Sequence, residues 1–225
     1  MPAFHTYKNP ALATDLVVFG YQDKALSVLL LNRKEAPFKN GWTLPGAFVG
    51  LEETLAEACR RILDTKLGLR SIYLEQLYTF DTPNRDPRGR VISVAHFALV
   101  SQGKLTAVAG KMANDVRWFP VTDIPVLGFD HRQILSAAQE RLRAKILYQP
   151  VGFELLDENF TMPELQDLYE CILGHSIDRR NFRRKILDAG FVELTGEKKE
   201  GLQNRPADYY NFNKKLLPQH FHLNL

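Results

Sequence analysis

Cysteine is scarce in this chain: its 225 residues hold two, Cys59 and Cys171, more than a hundred positions apart and without CxxC or Cys/His spacing. That excludes a disulfide framework and a finger-type zinc site, and both thiols read as reduced core residues of a cytoplasmic protein. Long apolar runs are also missing. No stretch approaches the roughly 18 apolar residues that cross a bilayer, and Met-Pro-Ala-Phe-His at the start has no basic segment followed by an apolar one. Neither membrane insertion nor secretion is expected. Excess charge is absent too, since 29 Lys and Arg against 26 Asp and Glu leave a net charge of only +3. A polyanionic partner would have to be announced by clustering of charge, because the total does not announce it. There is no internal repeat and no low-complexity tract. What remains is ordinary globular composition, long enough for one large or two modest domains.

Periodicity divides the chain. Asp15 to Gly20 and Ala25 to Leu31 are apolar runs around the polar Tyr21-Gln22-Asp23-Lys24, which predicts a β-hairpin. Leu55, Ala58, Cys59, Ile62 and Leu63 form a helical stripe closed by Gly68, with Glu57, Arg61, Asp64 and Lys66 on the polar face. Strands are predicted at Tyr73 to Thr79, Val91 to Val100 and Val116 to Phe119, and a helix from Asp130 to Ile146. Asp81 to Gly89 is rich in turn formers and reads as a loop carrying Arg85 and Arg88, with Arg90 just beyond it. Tyr148 to Gly152 breaks the pattern, placing a boundary between a domain of residues 1–148 and one of 149–225. The second part has a helix opened by Thr161-Met162-Pro163-Glu164 and closed by Gly174. A second helix runs from after Ser176 to Gly190. Phe191 to Leu194 and Tyr209 to Phe212 read as two strands joined by a flexible loop from Thr195 to Ala207. Helix, turn, basic helix, hairpin is the order of a winged helix-turn-helix.

The stretch from Gly46 to Leu69 resembles the Nudix box: Gly, five residues, Glu, seven residues, Arg-Glu, aliphatic, any, Glu-Glu, any, Gly, aliphatic. Anchored at its end, the box is matched by Glu53, Arg61, Leu63, Gly68 and Leu69, with Ala47 where the family has glycine. Anchored instead on Gly46 it is matched by Glu52 and Arg60, but Leu67 then replaces the closing glycine. In the first register Ile62, Thr65 and Lys66 stand where the family has the glutamates that hold divalent cations. An isoleucine cannot coordinate, a threonine does so poorly, and an ammonium repels the ion. No catalytic residue, metal site or cofactor is therefore expected. Glu53 and Arg61 read either as a structural pair fixing loop to helix or as ligand contacts, and Glu57 and Asp64 as solvated carboxylates. If a nucleotide pocket persists, Arg88, Arg90 and Glu53 are the candidate effector-binding residues, since guanidinium forks suit phosphate.

Ser176 to Lys185 packs five basic residues into ten. Phe182 and Ile186 define an inward face, and Arg180, Asn181 and Arg184 project away from it. Arg and Asn pair with guanine and adenine edges in the major groove. From Gln149 onward, however, ten Lys and Arg face twelve Asp and Glu, so a nucleic-acid role rests on clustering alone. The candidate DNA-binding residues are Arg180, Asn181, Arg183, Arg184 and Lys185, with Lys198, Lys199 and Arg205 on the wing.

Leu168-Tyr169-Glu170, Ile172-Leu173-Gly174, Asp178 to Lys185, Thr195-Gly196-Glu197 and Arg205-Pro206-Ala207 resemble the C-terminal domain of Nudix-related transcriptional regulators, the NrtR family. Together with the altered box, the resemblance spans nearly the whole chain. It implies an α+β protein in which a Nudix α/β/α sandwich with a mixed sheet precedes a winged helix-turn-helix. The implied function is that of a homodimeric, non-enzymatic repressor of NAD biosynthesis or salvage genes. It would bind an inverted-repeat operator in double-stranded DNA and be relieved by ADP-ribose. Related regulators govern pentose use with a sugar effector, and a working Nudix hydrolase with an accessory winged domain is the enzymatic alternative.

Overall fold

A computed structural model of the chain describes residues 9–69, 72–101, 113–199 and 206–213. Strands β1 (Ala11–Gln22) and β2 (Ala25–Arg33) are the expected hairpin. Its tip residues Asp23 and Lys24 both take positive φ, 50° and 62°, as a two-residue turn matching strand twist requires. Two short strands escaped the periodicity reading: β3 (Trp42–Thr43), antiparallel to β2, and β4 (Gly46–Phe48), antiparallel to β1. With β5 (Tyr73–Phe80), β6 (Val91–Ser101) and β7 (Ala113–Pro120) the sheet runs β3-β2-β1-β6-β5, with β7 against β2.

Both faces of the central strands are covered, which is why β1 and β6 read as nearly continuous apolar runs. Consecutive residues of β1 point to opposite faces. Thr14 meets Cys59 of helix α1 (Leu55–Leu67), Oγ1 to Sγ 3.4 Å, whereas Asp15 meets His131 at the start of helix α2 (His131–Lys145). One helix therefore lies on each side. Thr54 caps α1 and accepts from the Glu57 N–H, while Glu57 Oε2 accepts from the Thr54 N–H at 2.7 Å. Glu57 is thus half of a capping box, a role legible in Thr54-Leu55-Ala56-Glu57 but assigned above to solvent. Gly68 ends α1 at φ 68°, the left-handed conformation that favours glycine.

The chain divides into two compact units. The first holds the described residues through Phe19, Val28–Ala98, and those leading to Ala138; the second holds Gly20–Ser27, the end of β6 from Leu99, and the described residues from Gln139 onward. A 3-10 turn at Val151–Leu155 opens the C-terminal part of the second unit. Then come β8 (Phe160–Thr161), α3 (Met162–Leu173), α4 (Arg179–Asp188), β9 (Val192–Lys199) and β10 (Ala207–Phe212). Thr161 and Glu164 form the expected capping box and Gly174 the expected left-handed stop. The cap of α4 is Asp178, whose side chain accepts from the Asn181 N–H at 2.8 Å.

The wing differs from expectation in two ways. Thr195 to Lys199, expected in a flexible loop, continues β9, with Lys198 opposite Asp208 and Lys199 opposite Ala207. A polar hairpin arm lacks the apolar alternation that reveals a half-buried strand, so backbone pairing alone defines it. A third strand, β8, adds to β10 on its other edge. Phe153 centres the aromatic core, with ring centroids 4.6 Å from Phe212, 5.3 Å from Phe160 and 5.5 Å from Phe191. Burying each such ring stabilises by roughly 1.5–3 kcal/mol. The α+β architecture, a Nudix-type mixed sheet between helices followed by a winged helix-turn-helix, is the one expected.

Candidate functional site

The box register is decided by geometry. Arg61 donates to both oxygens of Glu53, at 3.0 and 2.5 Å, and to the Phe48 carbonyl at 3.1 Å, and Glu53 also accepts from the Gly50 N–H at 2.7 Å. The Arg61 contacts and the Gly50 N–H hold the Glu53 carboxyl down, at about 2. The structural pairing is therefore formed, fixing the loop after β4 to α1. The box positions that carry cation ligands in the family are different in kind. Ile62 is fully buried, Thr65 Oγ1 donates back to the Arg61 carbonyl at 2.6 Å, and half-buried Lys66 donates to the Gly46 carbonyl. Lys66, expected on the solvent face, instead turns along the helix end into a cleft. Among the described residues no group of three His, Cys, Asp or Glu is arranged to hold a metal ion.

That cleft, of about 280 Å³, is lined by residues including Asp15, Arg33, Lys66, Arg88, Phe129 and His131. Its floor is an ion cluster. Arg85 donates to Asp15 at 2.9 Å and, bidentately, to Asp130 at 2.7 and 2.8 Å; Ser93 Oγ donates to Asp15 at 2.7 Å. His131 accepts the Leu44 N–H at Nδ1, 2.9 Å, which leaves Nε2 to face Asp15 at 3.4 Å. Burial alone would raise the Asp15 carboxyl, but His131, Arg85 and Ser93 outweigh it and hold it well below the usual carboxylate range. A Cβ on Gly46 would stand 2.2 Å from Asp15 Oδ1, so only glycine fits opposite that carboxylate.

A depressed carboxylate contributes stability that is complete above its unfolded-state pKa, near 4, and is lost as pH falls through the native value. The stability gap between wild type and Asp15→Asn in urea titrations should therefore be constant from pH 7 to about 5 and narrow steadily below about 4. A gap independent of pH down to 3 would show that Asp15 is not held ionised by this cluster.

The candidate effector residues separate. Arg88 lines the cleft, bonded to Asp86 at 2.7 and 3.0 Å and lying over the rings of Phe48 (5.2 Å) and Phe129 (5.8 Å). Arg90 is exposed and donates to the Asp81 carbonyl, and Glu53 is engaged by Arg61; neither lines the cleft. Arg33, whose Nε donates to the Pro37 carbonyl at 2.7 Å and whose guanidinium lies 5.2 Å from the Phe129 ring, was not anticipated. Nor were Asp15 and His131. An acid inside the apolar run of β1 is the one signal the sequence carried for them.

In the second unit, Phe182 and Ile186 anchor α4, Phe182 lying edge-on to Tyr169 of α3 at 5.2 Å. Arg179, Arg180, Arg183 and Arg184 are exposed. Arg183 nonetheless bonds Tyr210 Oη at 2.9 Å and lies over its ring, tying α4 to β10. Arg184 donates to Asn181 Oδ1 at 2.9 Å, a pair on one helix face, while Lys185 is half-buried. On the wing Lys198 is exposed; Lys199 pairs with Glu164 at 2.5 Å. Arg205 lies outside the described residues.

No described helix is long and apolar enough to cross a membrane. Residues 152–212 match the NrtR DNA-binding winged helix domain and residues 9–138 the NUDIX domain. The chain is 36% identical over 211 residues to the ADPR responsive transcriptional repressor NtrR of Acinetobacter baylyi, covering 92% of this chain and 83% of that one. Over 133 residues, 59% of this chain and 75% of the other, it is also 36% identical to an ADP-ribose pyrophosphatase of Methanocaldococcus jannaschii. Shewanella oneidensis NrtR complexed with a 27mer DNA superposes with a TM-score of 0.81 at 38% identity, over 89% of this chain and 93% of that one. The NUDIX domain of the same protein complexed with ADP ribose has a TM-score of 0.56 at 36% identity, over 63% and 94%. With a box whose structural pair is intact and whose cation ligands are replaced, followed by a winged helix with an arginine-rich second helix, the chain belongs to the NrtR family of Nudix-related transcriptional regulators.

Proposed function

We propose that this protein is a cytoplasmic, homodimeric repressor that binds an inverted-repeat operator through residues 149–225 and releases it when residues 1–148 bind ADP-ribose without hydrolysing it. The genes under its control are those of NAD biosynthesis or salvage. The observation that carries the reading is α4: docked by Phe182 and Ile186, it turns Arg180 and the Arg184–Asn181 pair outward at the second position of a helix-turn-helix. The DNA complex of a relative 38% identical supports it. The name of the Acinetobacter relative and the ADP ribose complex of the Shewanella domain support the effector. Arg180, Asn181 and Arg184 read bases; Lys198 and Arg205 meet phosphates. Arg183, Lys185 and Lys199 position the helix and wing. Within the cleft Arg88 contacts the effector, and Glu53 and Arg90 shape the surrounding loops. Hydrolysis is absent because Ile62, Thr65 and Lys66 offer no carboxylate to a divalent ion.

Fluorescence anisotropy on operator and random duplexes tests this. Arg180→Ala should remove about 1–3 kcal/mol of base discrimination, whereas Lys198→Ala should weaken both duplexes alike and flatten the salt dependence. ADP-ribose at saturation should weaken operator binding by roughly 5- to 150-fold. It should be recovered intact after incubation with Mg²⁺, and Arg88→Ala should abolish its effect without altering DNA affinity. Release by arabinose with indifference to ADP-ribose, or accumulation of AMP, would overturn the reading.

A further inference from the structure

A Nudix fold implies a divalent cation between helix α1 and a diphosphate, and the residues present do not fit one. Hard cations such as Mg²⁺ require several oxygen ligands, chiefly carboxylates. On α1 the ligand positions hold a core isoleucine, a threonine whose hydroxyl is committed to the Arg61 carbonyl, and an ammonium. The neighbouring carboxylates are already engaged, Glu53 by Arg61 and Glu57 by the Thr54 cap.

In place of the ligands stands a charge. Lys66 is half-buried and held by the Gly46 carbonyl, and no carboxylate among the described residues forms an ion pair with it. Burial and the nearby Arg33 and Arg61 push its pKa down, only partly offset by Asp15. Arg33 is likewise half-buried and engaged by a backbone carbonyl and a ring, with burial and Arg88 lowering its pKa, only partly offset by Asp86, Glu35 and Asp15. Lys66 and Arg33 both line the 280 Å³ cleft, and both line a second hollow, of about 80 Å³, which shares Leu44 and Gly46 with it. Asp15, Asp86 and Glu35 lie near enough to offset part of this positive charge, but among the described residues neither cation is hydrogen-bonded to a carboxylate, and an anion entering the cleft where both cations stand relieves their mutual repulsion.

We propose that the Lys66 ammonium, with the Arg33 guanidinium, takes the place of the divalent ion and holds the effector's diphosphate, so that binding requires no metal. A lysine supplies a fixed point charge and three donors, but it cannot ionise a water for attack as a metal does. A lysine at this position thus keeps a hold on the anion, while Ile62, Thr65 and Lys66 together leave no ligand set for a hydrolytic metal. The inference rests on ADP-ribose being the ligand of this domain.

Calorimetric titration of the full chain with ADP-ribose, in Mg²⁺ and separately in EDTA, is the test. The wild type should bind equally in both. Lys66→Met should bind roughly 10- to 100-fold more weakly in both, as expected for loss of a charge-assisted hydrogen bond. Lys66→Glu should bind more weakly still in EDTA and should not recover on addition of Mg²⁺, because one carboxylate beside Ile62 and Thr65 makes no cation site, and Arg33→Met provides a second loss of charge away from α1. Wild-type binding that collapses in EDTA would overturn the proposal while leaving the effector reading standing, and needs no variant to detect. Undiminished affinity in both Lys66→Met and Arg33→Met would overturn it as well. A wild type that binds no ADP-ribose under either condition would refute the effector reading itself, and this inference with it.

Discussion

Arg85→Met should cost about 3–5 kcal/mol of folding stability, the loss expected when one partner of a buried ion cluster is removed and the others stay behind. Arg85 is 7% exposed and is the only guanidinium among the described residues that touches both Asp15 and Asp130. Without it two carboxylates face each other's field in a poorly solvated site, with His131 and Ser93 remaining beside Asp15 alone. The methionine has comparable length and keeps the packing, so the loss isolates charge from volume. Urea unfolding of the full chain gives the measurement. Asp130→Asn in the Arg85→Met background should restore part of the loss, since neutralising one carboxylate relieves the repulsion, and a double-mutant cycle reads that coupling. A loss below about 1 kcal/mol would mean that the cluster is solvated like a surface pair. Because Arg88, Phe129 and the Gly46 carbonyl are arranged around the same floor, ADP-ribose affinity should fall even where the variant remains folded.

Phe182→Ala should remove about 3–5 kcal/mol from the winged domain by leaving a cavity where an aromatic side chain is wholly buried. Phe182 lies edge-on to Tyr169, itself fully buried, and with Ile186 it is the apolar anchor of a ten-residue helix whose remaining residues, exposed Leu187 apart, are polar or charged. A helix so short is marginal without packing. Operator and random DNA affinities should therefore collapse together, unlike the sequence-dependent loss expected of Arg180→Ala. Anisotropy on the two duplexes, with circular dichroism of the same samples, separates these outcomes. Retained operator binding in Phe182→Ala would show that α4 is held in place by Arg183 and Tyr210 instead.

Much of this protein is legible residue by residue. Apolar stripes at helical spacing locate α1 and α3, apolar runs locate β1, β2 and β6, and Thr161 with Gly174 brackets a helix because caps act on backbone groups within a few residues. The altered box is legible for the same reason: its spacing is that of a loop and one helix, so the absence of carboxylates at Ile62, Thr65 and Lys66 shows in the chain itself. The basic helix is equally local.

Pairing across long separations decided the rest. Asp15 and Arg85 are 70 residues apart, and Arg85 and Asp130 are 45 apart; no periodicity connects them, and an arginine in a turn-rich loop carries no mark of burial. The same holds for arginines that look alike in sequence. Arg88 lines the cleft while Arg90 turns to a carbonyl, and Arg183 packs on Tyr210 while Arg180 is exposed. The polar arm of the wing became a strand through its partner, β10. Local sequence determined the helices and the long apolar strands, their order and the loss of the cation ligands, because those depend on backbone caps and side-chain period. Which charges are neutralised inside the fold and which remain for a ligand was decided only by tertiary structure, because electrostatic pairing depends on distance in space.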